Sequence, residues 1–287
     1  MIKHFIKLIL KPIEKSSFFR YIYWRYLPDE TVIIFDFFEK VMIDLGIMVD
    51  VGTGSGDTFE PFANIGWTVY GFEPDPNNRK VAIDIFKEKR NISIDPRAVS
   101  NKDEKGLAFY QSDISAGISG LSHFDPSHKQ TITVDTTTLE IFCKEKSIDR
   151  IDYLKVDTEG FDLFVLQGFP WQTVKKPTLL MCEFEDTKTI PLGYNFDDVV
   201  EFLEKHGYKV LVSEWFPAVK RGGPHKWKDF YTYGSSVPNS ASWGNLIAVQ
   251  GNDNFDLINE IAVNVTKRWR IGNVLSELRE SILNTFS

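Results

Sequence analysis

Short apolar runs alternate with longer stretches of helical period along most of this chain. Residues 48–51, 67–72, 92–95, 151–156 and 178–186 are apolar-rich runs bounded by turn residues, the pattern of strands buried in a parallel sheet. Residues 31–46 read as a helix with Val32, Ile33, Phe35, Phe37, Phe38, Val41 and Met42 apolar and Gly46 as its C-cap. A second helix is predicted at about 57–65. A third follows the turn Pro74-Asp75-Pro76-Asn77, with Pro76 in its first turn and Val81, Ile83, Ile85 and Phe86 at its apolar positions. Helices are also predicted at 161–167, ended by Gly168, and at 197–206. Strand alternating with helix predicts an α/β, doubly wound parallel sheet.

Two segments interrupt that rhythm. Residues 107–110 and 131–134 read as strands flanking a polar loop, 111–129, which carries His123 and His128. A long loop at the carboxyl ends of parallel strands is a candidate wall of a ligand site. Residues 215–244, between strands predicted at 208–212 and 245–249, set Trp215, Phe216, Trp227, Phe230, Tyr231, Tyr233 and Trp243 among Gly, Pro and Lys, with His225 in their midst. Aromatic faces in such a loop suit stacking on a sugar ring or an aromatic acceptor. An insertion pinned by its own aromatic cluster is the other reading. From 254 the tail carries Phe255, Ile258, Ile261, Val265 and Trp269 at helical spacing, is expected to break at Gly272, and resumes with Val274, Leu275, Leu278 and Ile282. It serves either packing or a homo-oligomer surface. The expected divisions are 1–30, 31–252 and 253–287.

Residues 1–27 change the picture most. Six basic residues there face the single acid Glu14, a net +5 that leaves −12 for the rest of a chain whose total is −7. Ile2, Ile6, Ile9 and Ile13 recur at helical spacing, and six aromatics crowd 18–26. A lid or packing helix is the preferred reading; a basic amphipathic helix in peripheral contact with the inner face of a membrane is the other. The acidic balance of the remainder argues against nucleic acid as the main partner, because phosphate binding needs a concentrated basic face. Two cysteines, Cys143 and Cys182, cannot build a disulfide framework, so reduced thiols and a cytoplasmic setting are expected. No apolar run approaches the length of a membrane span.

The chemistry concentrates where the first strand ends. Met48-Val49-Asp50-Val51-Gly52-Thr53-Gly54-Ser55-Gly56-Asp57-Thr58 passes from an apolar run through three glycines at alternate positions into a helix start. Glycines accept φ > 0 and let a backbone approach a ligand closely. A dinucleotide fingerprint would space them G-x-G-x-x-G. The G-x-G-x-G spacing here, with Asp50 before it and Asp57 after it, suits a cationic or zwitterionic ligand better than a pyrophosphate. Seventeen residues past Gly56, Glu73 ends the second strand, where an acid can take both hydroxyls of a ribose. Together these features favour S-adenosylmethionine over NAD.

A second acidic tip follows at Asp152-Tyr153-Leu154-Lys155-Val156-Asp157-Thr158-Glu159-Gly160. Asp157 and Glu159 can position an amine, bind a cation or take a proton. They can equally cap the next helix and sit in its first turn. With Glu183, Glu185 and Asp186 of the fifth strand they offer oxygen ligands for Mg²⁺, but no diagnostic spacing accompanies them and a metal is not predicted.

The pieces Val49-Asp50-Val51-Gly52-x-Gly54-x-Gly56-Asp57, Phe72-Glu73-Pro74-Asp75-Pro76, Arg97-Ala98-Val99-Ser100 and Leu154-Lys155-Val156-Asp157-Thr158-Glu159-Gly160 closely resemble the FkbM family of S-adenosylmethionine-dependent methyltransferases. The resemblance covers roughly 45–190. It implies the Rossmann-like class I methyltransferase fold: a seven-stranded, mostly parallel sheet with helices on both faces, here with N- and C-terminal helical additions. It also implies O-methylation of a sugar, glycan or natural-product hydroxyl. The cofactor contacts expected are Asp50, the turn Gly52, Thr53, Gly54, Ser55, Gly56, Asp57 and Thr58, then Glu73, Pro74, Asp75, Ala98 and Asp157. Asp50 and the turn would hold the methionine part, Glu73 the ribose, and Ala98 would border the adenine. An alcohol needs a base as its bond to methyl forms. Asp157 and Glu159 are the first candidates, His123 and His225 the reserves. An NAD-dependent oxidoreductase and a non-catalytic, membrane-associated scaffold of the same fold are the competing readings.

Overall fold

The computed structural model describes residues 28–285, apart from 113, 115, 218–224 and 237. The proposed lid or membrane helix of residues 1–27 therefore lies outside the described residues. The chain divides into two compact units: residues 42–255, and a second comprising the first described helix with the chain from Asp256. That helix, α1 (Glu30–Val41), buries Ile33, Ile34, Phe37 and Phe38. Gly46 does not cap it. The left-handed residue after α1 is Met42, at φ 51°, and Gly46 instead makes room for Trp67, whose ring a Cβ would meet at 2.4 Å.

The larger unit is built on an eight-stranded sheet. Its chain order is β1 (Ile47–Val51), α2 (Glu60–Asn64), β2 (Thr68–Phe72), α3 (Pro76–Phe86), β3 (Ile92–Asp95), β4 (Ala98–Val99), β5 (Leu107–Ser112), β6 (His128–Val134), β7 (Thr136–Thr137), α4 (Leu139–Lys146), β8 (Tyr153–Val156), α5 (Asp162–Gln167), β9 (Leu179–Glu185), α6 (Asp186–Thr189), α7 (Phe196–Lys205), β10 (Tyr208–Trp215), β11 (Trp227–Thr232) and β12 (Trp243–Gln250). The strands lie in the order β11-β10-β12-β9-β8-β1-β2-β3. β3, β2, β1, β8 and β9 are mutually parallel, β12 runs antiparallel to both β9 and β10, and β11 is antiparallel to β10. The order reverses between β1 and β8, so a crevice opens at their carboxyl ends.

Side-chain alternation decides the core. Val49 and Val51 join Leu154, Val156, Leu180 and Cys182 on one face, under Leu139 and Phe142 of α4, Leu166 of α5 and Val200 of α7. Met48, Val69 and Tyr153 are buried toward the other face, where Phe62 of α2 packs on Trp67 and Tyr153 at 5.1 and 5.3 Å. Cys143 and Cys182 are free and buried.

Four further expectations fail locally. The aromatic segment is not a loop throughout: it forms β11, the eighth strand, and buries Trp215 and Trp227, with Trp227 Nε1 donating to Ser213 Oγ at 3.2 Å. Buried indoles of that kind belong to the core and are unavailable for stacking on a ligand. On α3 the buried residues are Ala82 and Phe86, whereas Val81, Ile83 and Ile85 are exposed, because position around the helix and not apolar character sets burial. His128 lies in β6, not in the loop. The tail is one helix, α8 (Asn252–Thr285), running through Gly272, since a lone glycine costs a helix only about 1 kcal/mol.

Candidate active site

β1 and β8 are in register with Asp50 beside Lys155, so the two side chains leave the sheet on one face. Lys155 Nζ lies 3.2 Å from Asp50 Oδ1, 3.4 Å from Asp157 Oδ2 and 3.3 Å from the Gly52 carbonyl. Burial pulls the Lys155 ammonium down, but Asp50 and Asp157 outweigh it and hold its pKa above the ordinary lysine value. Burial pushes the Asp50 carboxyl up to about 6, against the pull of Lys155. Asp50 is 0% exposed and does not line the cavity below. Its carboxylate instead meets Lys155, which does line that cavity.

The glycine turn is closed by backbone. Gly52 and Thr53 N–H both donate to the Phe72 carbonyl at 3.0 Å, and Thr53 Oγ1 donates to the Asp50 carbonyl at 2.9 Å. Gly52, Gly54 and Gly56 all have positive φ, at 82°, 56° and 92°. Gly56 is packed between Phe59 and Phe86, whereas a Cβ on Gly54 would meet nothing within 4 Å. Glu73 is clamped to this turn: Oε2 accepts from Gly54 N and Oε1 from Asp75 N, each at 2.8 Å. Burial nonetheless pushes its carboxyl up to about 7, against those two bonds. Asp75 caps α3 through Asn77 N and accepts from Gln111 Nε2 at 2.6 Å; Asp57 is exposed and accepts from Ser55 Oγ.

A cavity of about 250 Å³ opens over these strand tips. Of the residues expected from sequence, Gly52, Thr53, Gly54, Ser55, Asp57, Thr58, Glu73, Pro74, Ala98, Asp157 and Glu159 line it. Asp50, Gly56, Asp75, His123 and His225 do not. Its remaining wall includes Lys155, Phe161 and, from the β5–β6 loop, Gly117, Ser119, Gly120 and Leu121. Gly120 folds back to pair with Tyr110, which brings its Cα side against Glu159; a Cβ there would lie 3.3 Å from Glu159 Cβ. Nothing in the sequence signals that pairing. Lys155 was legible, since it lies opposite Asp50 once β1 and β8 are neighbours.

Asp157 and Glu159 do not cap α5. Its N-cap is Phe161, without a side-chain bond. Glu159 instead sits at φ 56°, a conformation non-glycine residues seldom adopt outside functional or strained sites. Its carboxylate lies 2.7 Å from Lys188 Nζ. Burial, offset by Lys188, pushes Glu159 up to about 7, and burial pushes Glu183 up to about 8. Asp157, Glu159 and Glu183 each bring a carboxylate oxygen within 4.8 Å of the others. Gly160, at φ 99°, leaves its space to Lys188 Cβ and Leu192 and not to an acceptor. His123 packs edge-on to Tyr110 and to His128 at 5.4 and 5.8 Å. His225 is exposed beside Trp243, held below its ordinary pKa by partial desolvation and by the charge of Lys188.

This strand order, with a glycine turn on β1 and an acid on the tip of β2 facing one cavity, is that of the class I methyltransferase fold. The methyltransferase FkbM domain matches residues 50–210, more than half of the chain, and the chain belongs to that family. S-adenosylmethionine is accordingly its cofactor. None of the curated proteins matches the chain. Among solved structures it is similar to a precorrin-6Y C5,15-methyltransferase from Geobacter metallireducens (15% identity, 79% of this chain and 91% of that one, TM-score 0.40). It is also similar to an rRNA methylase from Streptococcus thermophilus (10% identity, 78% and 98%, TM-score 0.42). A third is SMU.1697c of Streptococcus mutans in complex with SAH (9% identity, 78% and 99%, TM-score 0.42).

The residues present fit the cofactor. The open side of Gly54 leaves a cradle, Glu73 offers carboxylate oxygens for a diol, and Lys155 with Asp157 offers one charge of each sign for a zwitterionic amino acid. No described helix is long and apolar enough to cross a membrane.

Proposed function

We propose that this chain is an S-adenosylmethionine-dependent O-methyltransferase whose acceptor is a hydroxyl of a sugar, a glycan or a related natural product. The observation that carries this reading is Glu159: a buried carboxylate on the cavity wall, in left-handed backbone, with its pKa brought up to about 7. A base poised near the working pH is what an alcohol nucleophile needs, because its proton must leave as the new bond forms.

When bound, the cofactor supplies an electrophilic methyl group. The protein's own residues do the rest by holding and aligning, which can supply much of the barrier reduction. Glu73 holds the ribose hydroxyls, with its free lone pairs directed away from the two backbone donors. Lys155 takes the methionine carboxylate and Asp157 the amino group, while Asp50 keeps Lys155 charged and in place. Ala98 borders the adenine. Glu159 accepts the acceptor's proton, and the Gly117–Leu121 stretch, residues 117–121, shields the reacting groups from water. The acceptor is a small molecule or glycan end, because the cavity encloses only about 250 Å³ and its acids repel a phosphate backbone.

The test is methyl transfer from labelled S-adenosylmethionine to a panel of monosaccharides, glycans and polyols, alongside calorimetric cofactor binding. Label recovered as a methyl ether supports the reading. Tight cofactor binding with transfer to an amine or a carbon centre refutes O-methylation, and binding without transfer to any acceptor class favours the scaffold.

A further inference from the structure

Lys188 is the most deeply placed cation near the cavity, 3% exposed in the one-turn helix α6. Its Nζ lies 2.7 Å from Glu159 Oε2, 2.9 Å from Glu183 Oε2 and 2.8 Å from Glu185 Oε2. Three carboxylates from the β8–α5 loop and β9 thus crowd one ammonium: Glu183 Oε2 accepts a hydrogen bond from it, and Glu159 is held as a close ion pair. The Phe124 ring, 5.4 Å from Nζ, lies over the same charge. Room for the side chain comes from Gly160, where a Cβ would press on Lys188 Cβ at 3.2 Å.

Two of these acids, Glu159 and Glu183, join Asp157 in the layout of an oxygen site for a divalent ion. Asp157, Glu159 and Glu183 offer oxygens within 4.8 Å of one another, at the tips of adjacent parallel strands. Asp157 is half-exposed and paired with Lys155, but the buried Glu159 and Glu183 need a cation of their own, because unpaired buried charge costs several kcal/mol per ion. In this chain the cation is covalently attached.

We propose that Lys188 is a positioning residue that stands in place of a divalent metal: its ammonium holds Glu159 at the cavity wall and keeps the acid cluster from taking up Mg²⁺ or Mn²⁺. The bearing on methyl transfer rests on the O-methyltransferase reading above, whereas the exclusion of metal does not. Removal of the ammonium takes the Lys188 charge from Glu159 and Glu183, beside Asp157, which Lys155 still pairs, so Lys188→Ala opens this cluster to a divalent ion.

The experiment uses the full-length protein with Mn²⁺ and Mg²⁺ as probes and S-adenosylmethionine affinity as a separate readout. Mn²⁺ binding is followed by the loss of the free-ion paramagnetic signal. Wild type is expected to bind Mn²⁺ no better than Glu183→Gln, and its melting temperature is expected not to change with Mg²⁺ or with a chelator. Lys188→Ala is expected to bind Mn²⁺ at least ~10-fold more tightly than wild type and to gain thermal stability from Mg²⁺, both effects vanishing in Lys188→Ala/Glu183→Gln. A purely structural lysine would not be replaced by a metal ion. Tight wild-type Mn²⁺ binding that Glu183→Gln abolishes overturns the proposal, as does a folded Lys188→Ala with no gain. Should Lys188→Ala fail to fold even with Mg²⁺, the wild-type titration decides. Failure of wild type to bind S-adenosylmethionine would instead overturn the cofactor assignment and leave the metal result standing.

Discussion

Gly52 has no side chain because the carbonyl oxygen of Asp157 occupies the place where one would go. A Cβ built on Gly52 would lie 1.8 Å from that oxygen, and Gly52 is held at φ 82°. The relationship locks the turn after β1 to the turn after β8, whose Asp157 N–H also donates to the Val51 carbonyl at 2.9 Å. Gly52→Ala is therefore expected to reduce S-adenosylmethionine affinity by more than ~100-fold or to prevent folding, since clash and left-handed strain act together. Gly54→Ala meets no neighbour and is expected to keep the fold, at a cost of about 1–2 kcal/mol for its φ. Calorimetry and melting curves on both variants check this; normal binding by Gly52→Ala would show that the two turns are not rigidly joined.

Glu73 ties the glycine turn after β1 to the turn before α3 by accepting from Gly54 N and Asp75 N. Glu73→Ala should weaken cofactor binding by about 1.5–3 kcal/mol, the scale of hydrogen bonds to a charged group. Unchanged affinity in a folded variant would remove the ribose role.

Asp157 and Glu159 are two residues apart, yet their surroundings differ. The Asp157 side chain is 41% exposed and pairs with Lys155, whereas that of Glu159 is 10% exposed and pairs with Lys188. Asp157→Asn is expected chiefly to raise the cofactor Kd. Glu159→Gln is expected to lower kcat by about 10²–10⁴ with that Kd little changed. Single-turnover transfer and calorimetry separate the two, and full turnover by Glu159→Gln would move the base elsewhere, with His225 the next to be replaced.

The raised carboxyls set a pH dependence of stability. Glu73 and Glu159 move from 4.5 to about 7, Glu183 to about 8, and Asp50 from 3.8 to about 6, each chiefly through burial. Between its unfolded and folded pKa such a group binds more protons in the folded state, so stability is full below the lower value and falls as pH rises through the higher one. The ligand-free protein is expected to melt highest near the acid end of this window and several degrees lower by about pH 8, each group contributing at most about 1.4 kcal/mol per pH unit. Glu183→Gln should flatten the upper part of the curve. A melting temperature that climbs across the window would contradict the assignment.

Much of the cavity wall built from the tips of β1 and β2 was legible in the sequence alone because its determinants are local. Glycine is the residue that accepts the positive φ of the turn, an acid directly after an apolar strand has only the strand tip to occupy, and alternating strands and helices admit few sheet orders. The neighbourhood of Asp50 and Lys155 follows from the same order, once β1 and β8 are adjacent. What the tertiary structure decided is everything that depends on separated segments meeting. The aromatic run at 227–232 reads as a loop until β10 offers an open edge to pair with, and only then are Trp215 and Trp227 buried. Asp50 looks like a ligand contact in one dimension but lies behind the turn, because side chains alternate along a strand and its face points toward Lys155. Gly160 and Lys188 are far apart in sequence, and no spacing rule predicts that one is small because the other passes over it. Local chemistry is written residue by residue, whereas burial and charge pairing are properties of space, and space is assigned only when the sheet closes.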